Sequence, residues 1–300
     1  MNVLVEDYEA QSKLNHEQAQ AFKTILHSID SGTTRLFFVN GPGGTGKIFL
    51  YHALLANVRS KGMIALATAT SGVAAVILPG GRTAHSRFDI SLQTNDTTMT
   101  KMSKQSSTTK LIRQAKLIIW DEAPMAKRQT IETVDRSFRD IMDVNAYFGG
   151  KVMVFGGDFR QVLPVVPKST RVETVNTSLV KSYLWPLMEK IHFTTNMRSK
   201  ADPNFTNFLL RVSNGDEQTV KDNLLSLPEL IVVKHNSDER PDECLIREIF
   251  LSLHQHSSSA QFITERAILA SRNEFVDQLN EMLIAKFFGE SKIFISFASA

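Results

Sequence analysis

Val39-Asn40-Gly41-Pro42-Gly43-Gly44-Thr45-Gly46-Lys47-Ile48 carries the spacing Gly-x-x-x-x-Gly-Lys of a phosphate-binding loop. The apolar run Leu36 to Phe38 enters it as a buried strand would, and Phe49 to Leu55 leaves it with helical spacing. Glycines let the backbone fold tightly round a phosphate with its N–H groups inward, and the positive end of the following helix stands behind them. The nucleotide-contacting segment is therefore expected to be Gly41, Pro42, Gly43, Gly44, Thr45, Gly46, Lys47 and Ile48, with Lys47 reaching the β- and γ-phosphates. The pattern asks for Ser or Thr after the lysine, to put a hydroxyl on Mg²⁺, and Ile48 stands there instead.

Upstream of the loop, Leu14 to Leu26 predicts a helix with Asn15 as its N-cap, and Gln18 falls outside the face shared by Leu14, Ala21, Phe22 and Ile25. A glutamine at this place can pair the donor and acceptor edge of adenine with its carboxamide. Downstream, Met63 to Thr68 reads as the next buried strand, Thr70 to Ala75 starts a helix, and Gly80 to Ser86 reads as a turn of small donors suited to a phosphodiester backbone. Residues 91–110 lack either period and read as a surface excursion, and Lys101, Lys104, Lys110, Arg113 and Lys116 make the most basic local stretch.

A second chemical signature is Leu117-Ile118-Ile119-Trp120-Asp121-Glu122, an apolar strand ending in two carboxylates. Nucleotide hydrolysis needs one carboxylate at such a strand tip to hold hydrated Mg²⁺, assigned to Asp121, and a second to take a proton from the attacking water, assigned to Glu122. An amphipathic helix over Arg128 to Val144 follows, and then a strand over Lys151 to Phe155 delivers Gly157-Asp158-Phe159-Arg160-Gln161. Ligands of open parallel sheets sit at the carboxyl ends of the strands, which sets Gln161 near the γ-phosphate or the lytic water. Ile191 to Arg198 predicts one more strand, and its terminal Arg198 is the side chain for neutralising charge on a transferring phosphoryl group. Beyond it, Asp202 to Val212 predicts a short helix, residues 234–242 a seam, Glu265 to Ala270 a strand and Phe275 to Leu283 a helix.

The chain has 300 residues, 42% hydrophobic and 22% charged, which excludes wholesale disorder and allows two domains. A net charge of +3 permits an anionic partner without demanding one. The single cysteine, Cys244, rules out an intrachain disulfide and suits a reducing compartment. No apolar run approaches the ~20 residues of a membrane span and the first residues have neither signal nor transit character, so an intracellular protein without a membrane partner is expected.

Six segments in fixed order carry a resemblance: Leu14-Asn15-x-Glu17-Gln18-x-x-Ala21-Phe22; Gly41 to Lys47; Thr68 to Ala75 with Thr83-x-His85-Ser86; Ile118 to Met125; Gly157 to Val165; and Thr195-x-Met197-Arg198. Over about Leu14 to Glu290 the chain resembles the Pif-type (petite integration frequency) DNA helicases of superfamily one, in the versions widespread in plant and transposon-rich genomes. The resemblance implies an α/β fold: a P-loop NTPase with a RecA-like, mainly parallel sheet, plus an incomplete second RecA-like domain. It divides the chain into a lead-in (1–13), an ATPase domain (14–200) with a surface insertion (91–110), and a connector with a partial second domain (201–300). It implies ATP and Mg²⁺ as cofactors, Gln18 on adenine, Gln161 as γ-phosphate sensor and Arg198 as arginine finger. Thr70 and Ser71, with Thr83, His85 and Ser86, are expected on single-stranded DNA, and duplex junctions are the expected partner. Unwinding from five-prime to three-prime, a nuclear setting, and work in DNA repair, recombination and telomere maintenance are implied as well. Two departures stand out, since Ile48 replaces the metal-binding hydroxyl and the family's late motifs do not follow, so that a C-terminally shortened copy is expected. A nucleotide-responsive DNA-binding module without turnover is the competing reading, and a small-molecule kinase a weaker third.

Overall fold

In the computed structural model of the protein, residues 10–221, 224–235, 238–256 and 258–287 are described. The chain divides into two compact units, Met1–Glu217 and Gln218–Ala300.

The first unit opens with helix α1 (His16–Asp30), where Asn15 and Gln18 form a reciprocal capping box: Gln18 N donates to Asn15 Oδ1 at 2.9 Å and Asn15 N to Gln18 Oε1 at 3.0 Å. Strand β1 (Leu36–Asn40) and helix α2 (Lys47–Ser60) flank the phosphate loop. Then come β2 (Ile64–Ala69), α3 (Gly72–Ile77), β3 (Arg82–Thr83), α4 (Ala84–Phe88), α5 (Ser107–Gln114) and β4 (Ala115–Asp121). The unit continues with α6 (Arg128–Met142), β5 (Val152–Gly157), α7 (Arg171–Thr177), β6 (Met188–His192) and α8 (Pro203–Asn214). The six strands pair in the order β3-β2-β4-β5-β1-β6, all parallel. This is the expected RecA-like α/β sheet.

A parallel sheet must be covered on both faces, which is why its strands read as unbroken apolar runs. Period-two alternation sends Phe37 and Val39 to the core layer built with Phe22, Ile25, Leu50 and Leu54, while Phe38 goes to the opposite layer with Phe88, Trp120, Phe138 and Phe155. Ile131, Val134, Phe138 and Ile141 form the buried stripe of α6, as their spacing predicts.

Several boundaries differ from expectation. Gly80 to Ser86 is not only a turn: Arg82 and Thr83 pair with Thr68 and Ala69, and Thr83 caps α4 by accepting from Ser86 N. The excursion over 91–110 lacks regular structure only up to Ser106, since α5 starts at Ser107 under a Ser106 cap. It is also pinned to α6, with the Arg136 guanidinium donating to the carbonyls of Asn95 and Thr98 and Thr100 N donating to Ser137 Oγ. Of the basic stretch, Lys104 pairs with Asp140 at 2.8 Å and Arg113 donates to Ile141 O, so charges that looked free brace the fold. Helix α6 ends at Met142 with Asp143 in the left-handed region, short of Val144.

The predicted strand over Ile191 to Arg198 is displaced. Strand β6 stops at His192, because β1, its only neighbour among the described residues, ends at Asn40 and turns into the phosphate loop; Phe193 N bonding to Asn40 O at 2.8 Å is the last rung. The helix predicted over Asp202 to Val212 is present as α8 and belongs to the first unit, whose limit at Glu217 lies beyond the expected boundary at 200 and before the expected seam at 234–242.

In the second unit, β7 (Thr219–Lys221) and β8 (Leu224–Leu225) form an antiparallel pair, followed by α9 (Pro241–Ile249), α10 (Leu253–His256), α11 (Ala260–Thr264) and α12 (Asn273–Ile284). The helix expected over Phe275 to Leu283 lies within α12. The strand expected over Glu265 to Ala270 does not form; Leu269 stands 93% exposed there, and an extended segment without a neighbour to share its hydrogen bonds is not a strand. Among the described residues this unit has no parallel sheet. Residues 1–9 of the expected lead-in (1–13) and residues 288–300 of the expected partial second domain lie outside the described residues.

Candidate nucleotide-binding and hydrolysis site

The carboxyl ends of β1, β4 and β5 come together round a cavity of about 620 Å³. Gln18, Lys47, Asp121, Glu122, Gln161 and Arg198 all line it, so six side chains singled out across 180 residues of sequence meet in one place. Gly43, Gly44, Gly46 and Ile48 contribute the loop wall.

Local conformation explains the loop. Gly46 caps α2 with φ of +80°, and a Cβ on it would collide with the Gln18 carboxamide. Gly44 has φ of +89°, and a Cβ there would press on Asn196 and come within 3.0 Å of Arg198 Cβ. The amino end of α2 therefore faces the cavity as an anion-binding end. Lys47 is 8% exposed, and its Nζ donates to Gly41 O at 2.6 Å and to Pro42 O at 3.4 Å. Burial lowers its pKa, while the carboxylates of Asp121, Glu122 and Asp158 act the other way. Thr45 spends its hydroxyl on Pro42 O at 2.9 Å, and Ile48 packs partly against the core, so the start of α2 offers the cavity no hydroxyl from position 48.

Asp121 at the tip of β4 is 2% exposed, and Glu122 follows with φ of +52°, a left-handed conformation that a glutamate adopts only when its surroundings hold it there. Among the described residues, Asp121 Oδ1 and Glu122 Oε2 are buried without a well-formed hydrogen bond, the Tyr51 hydroxyl lying beside Asp121. Burial raises both pKa values from the ordinary carboxylate values, and the Asp121 charge adds to the rise at Glu122. Carboxylates with unspent acceptor capacity beside a phosphate loop are the hard donors that a hydrated Mg²⁺ uses, so the residues fit the ion.

Gln18 is more committed than expected. Its Oε1 holds the Asn15 amide and its Nε2 donates to Thr45 O at 3.0 Å, so the carboxamide ties α1 to the phosphate loop at the cavity wall. Gln161 is exposed at the cavity, its amide donating to Asp158 O. Arg198 comes from the loop after β6 and not from a strand end.

That loop contains the residues that sequence reasoning missed. Asn196 donates to Gly43 O at 3.1 Å and accepts from Arg198 N and Ser199 N, while Met197 N donates to Gly44 O at 2.8 Å. Glu17 holds the same loop from α1 through Thr194 N and its hydroxyl. Asn196 occupied the blank in Thr195-x-Met197-Arg198, where nothing local marks it as a contact to a loop 150 residues away. Tyr51 was also missed: its wholly buried ring sets the hydroxyl beside Asp121, and burial pushes its pKa well up.

The five residues expected on DNA fall at the same carboxyl edge. Pairing of β2 with β3, Ala69 opposite Thr83, brings the segment of Thr70 and Ser71 beside that of Thr83, His85 and Ser86. Thr70 is tied to the hydrolytic strand, since its amide donates to Asp121 O at 3.0 Å and its hydroxyl accepts from Trp120 Nε1 at 3.1 Å. Ser71 and Thr83 cap α3 and α4; His85 is partly buried, which lowers its pKa, and Ser86 is exposed.

The PIF1-like helicase family matches residues 13–223. ATP-dependent DNA helicase PIF1 of Candida albicans is 28% identical over 221 residues, covering 70% of this chain and 24% of that protein. Among solved structures, Pif1 helicase from Candida albicans superposes with a TM-score of 0.57 at 25% identity, covering 73% of this chain and 50% of the other. Bacteroides Pif1 bound to ssDNA gives 0.56 at 25% identity, covering 68% and 46%. The chain thus spans about a quarter of that curated relative and about half of the solved chains.

Proposed function

This chain belongs to the PIF1-like helicase family, and from that premise we propose that its first unit binds ATP with Mg²⁺ and hydrolyses it while holding single-stranded DNA, as the motor of a DNA helicase. The observation that carries the proposal is the convergence of Lys47, Asp121, Glu122, Gln161 and Arg198 on one cavity, with two carboxylates side by side at the tip of β4. The loop amides and Lys47 grip the phosphates, and Gln18 stands by the adenine. Asp121 holds the metal. Bound Mg²⁺ would neutralise charge that develops on the transferring phosphoryl group. Glu122 takes a proton from the attacking water; its raised pKa makes it a better base than an exposed glutamate. Gln161 orients that water and Arg198 offsets the charge on the equatorial oxygens.

Bacteroides Pif1 is bound to ssDNA in its solved structure, which supports single-stranded DNA as the ligand; Thr70, Ser71, Thr83, His85 and Ser86 are the residues that would hold it by family resemblance. Five-prime to three-prime movement, duplex junctions as substrate, a nuclear setting, and roles in repair, recombination and telomere maintenance extend the reading by family resemblance. No helix among the described residues is long and apolar enough to cross a membrane.

Titration with a fluorescent ATP analogue and assay of DNA-stimulated hydrolysis test the proposal. Lys47→Ala is expected to weaken binding at least roughly 10-fold, and Glu122→Gln to bind nucleotide while slowing turnover roughly 100-fold or more. Equal binding by wild type and Lys47→Ala refutes it. Ile48 is the one observation behind the second reading, a DNA-binding module without turnover, and binding with no hydrolysis at any DNA concentration would select that one.

A further inference from the structure

Tyr51 lies on α2 one turn beyond Ile48, with its side chain wholly inside the core layer between α2 and the sheet. A buried tyrosine hydroxyl ordinarily has a hydrogen-bond partner. Among the described residues the Tyr51 hydroxyl makes no well-formed bond, nor does Asp121 Oδ1, and the donor and the acceptor adjoin each other above Gly156. A Cβ on Gly156 would collide with the hydroxyl and come within 3.2 Å of Asp121 Oδ1. Gly156 has no left-handed φ; what glycine provides there is room for these two groups. Were Tyr51 only a core filler, phenylalanine would pack as well without burying an unpaired hydroxyl.

We propose that Tyr51 is a positioning residue for the metal-holding carboxylate: its hydroxyl, set beside Asp121 Oδ1, donates to that carboxylate and fixes the orientation in which it faces Mg²⁺, which offsets part of what Ile48 lacks. Partners behind a ligating carboxylate set its orientation and its affinity for the ion. The inference rests on the proposed nucleotide site and deepens it.

The test uses the full chain and Tyr51→Phe, with two readouts: affinity for a fluorescent ATP analogue in EDTA, and Mn²⁺ affinity of the nucleotide complex by electron paramagnetic resonance. Tyr51→Phe is expected to keep its metal-free nucleotide affinity and to lose roughly 10-fold in Mn²⁺ affinity. Unchanged Mn²⁺ affinity overturns the inference and leaves the proposed function standing. Loss of metal-free affinity as well makes Tyr51 a structural residue and also overturns it. If the wild-type chain binds no nucleotide, the proposed function falls and this inference with it.

Discussion

At the scale of single residues, Ile48 is the position on which the proposed hydrolysis turns. Isoleucine and threonine share β-branching, so α2 starts equally well with either, but only threonine offers the metal an oxygen. Ile48 is partly buried against the core, and exchange for threonine gives up apolar contact costing about 1 kcal/mol of stability. The gain falls elsewhere. A better-held ion acts mainly on the transition state, and roughly 3 kcal/mol there is worth about 100-fold in rate. Ile48→Thr is therefore expected to raise DNA-stimulated ATP hydrolysis roughly 10- to 100-fold with little change in ATP affinity, measured by phosphate release. A rate that Ile48→Thr does not improve would mean that Asp121 and water already hold the ion adequately. The departure at Ile48 was visible in the sequence from its place after Lys47; the buried Tyr51 was not, because it looks like one more large residue in a helix that is apolar almost all round.

Among the elements, the loop from Phe193 to Ser199 links the phosphate loop to α1 and carries Arg198. Its hold on Gly43 and Gly44 comes from one side chain and one amide, Asn196 Nδ2 and Met197 N. Asn196→Ala removes three hydrogen bonds, each worth about 1 kcal/mol at most at this partly exposed place. The phosphate amides and Lys47 remain, so nucleotide affinity should change less than about 3-fold, whereas turnover should fall roughly 10-fold as Arg198 loses its support. Steady-state kinetics separate the two; an equal loss in affinity and turnover would put Asn196 in ground-state binding instead. Ile191, Phe193, Thr194 and Thr195 favour extended backbone, and that is why the sequence suggests a strand through Arg198. Extended backbone becomes a strand only beside a partner, and β1 has none to give past Asn40.

In the whole molecule, the first unit puts the nucleotide cavity and the expected DNA segments along one carboxyl edge, with β4 between them and the Thr70 to Asp121 bond joining the two. With a net charge of only +3, affinity for single strands should come from a few phosphate contacts and not from a large basic field. About three such contacts give a slope near −2 for log K against log salt. His85→Ala with Ser86→Ala, which spares the Thr83 cap, is expected to weaken binding of an oligothymidine roughly 10-fold, read by fluorescence anisotropy. Salt-independent binding, or none lost, would move the DNA elsewhere. The sequence by itself determined the chemistry: the glycine spacing, Lys47, the paired carboxylates after an apolar strand, and the alternation of strands and helices, all of which are local patterns dictated by backbone geometry and hydrophobic periodicity. Only the tertiary structure decided which strands are neighbours, where β6 and the strand-like run at Glu265 to Ala270 lose their partners, that Gln18 and Asn196 brace the loop, and that Tyr51 meets Asp121 above Gly156. Those contacts join residues far apart in the chain, and no local propensity encodes a hydrogen bond that exists only once the sheet has brought its strand ends together.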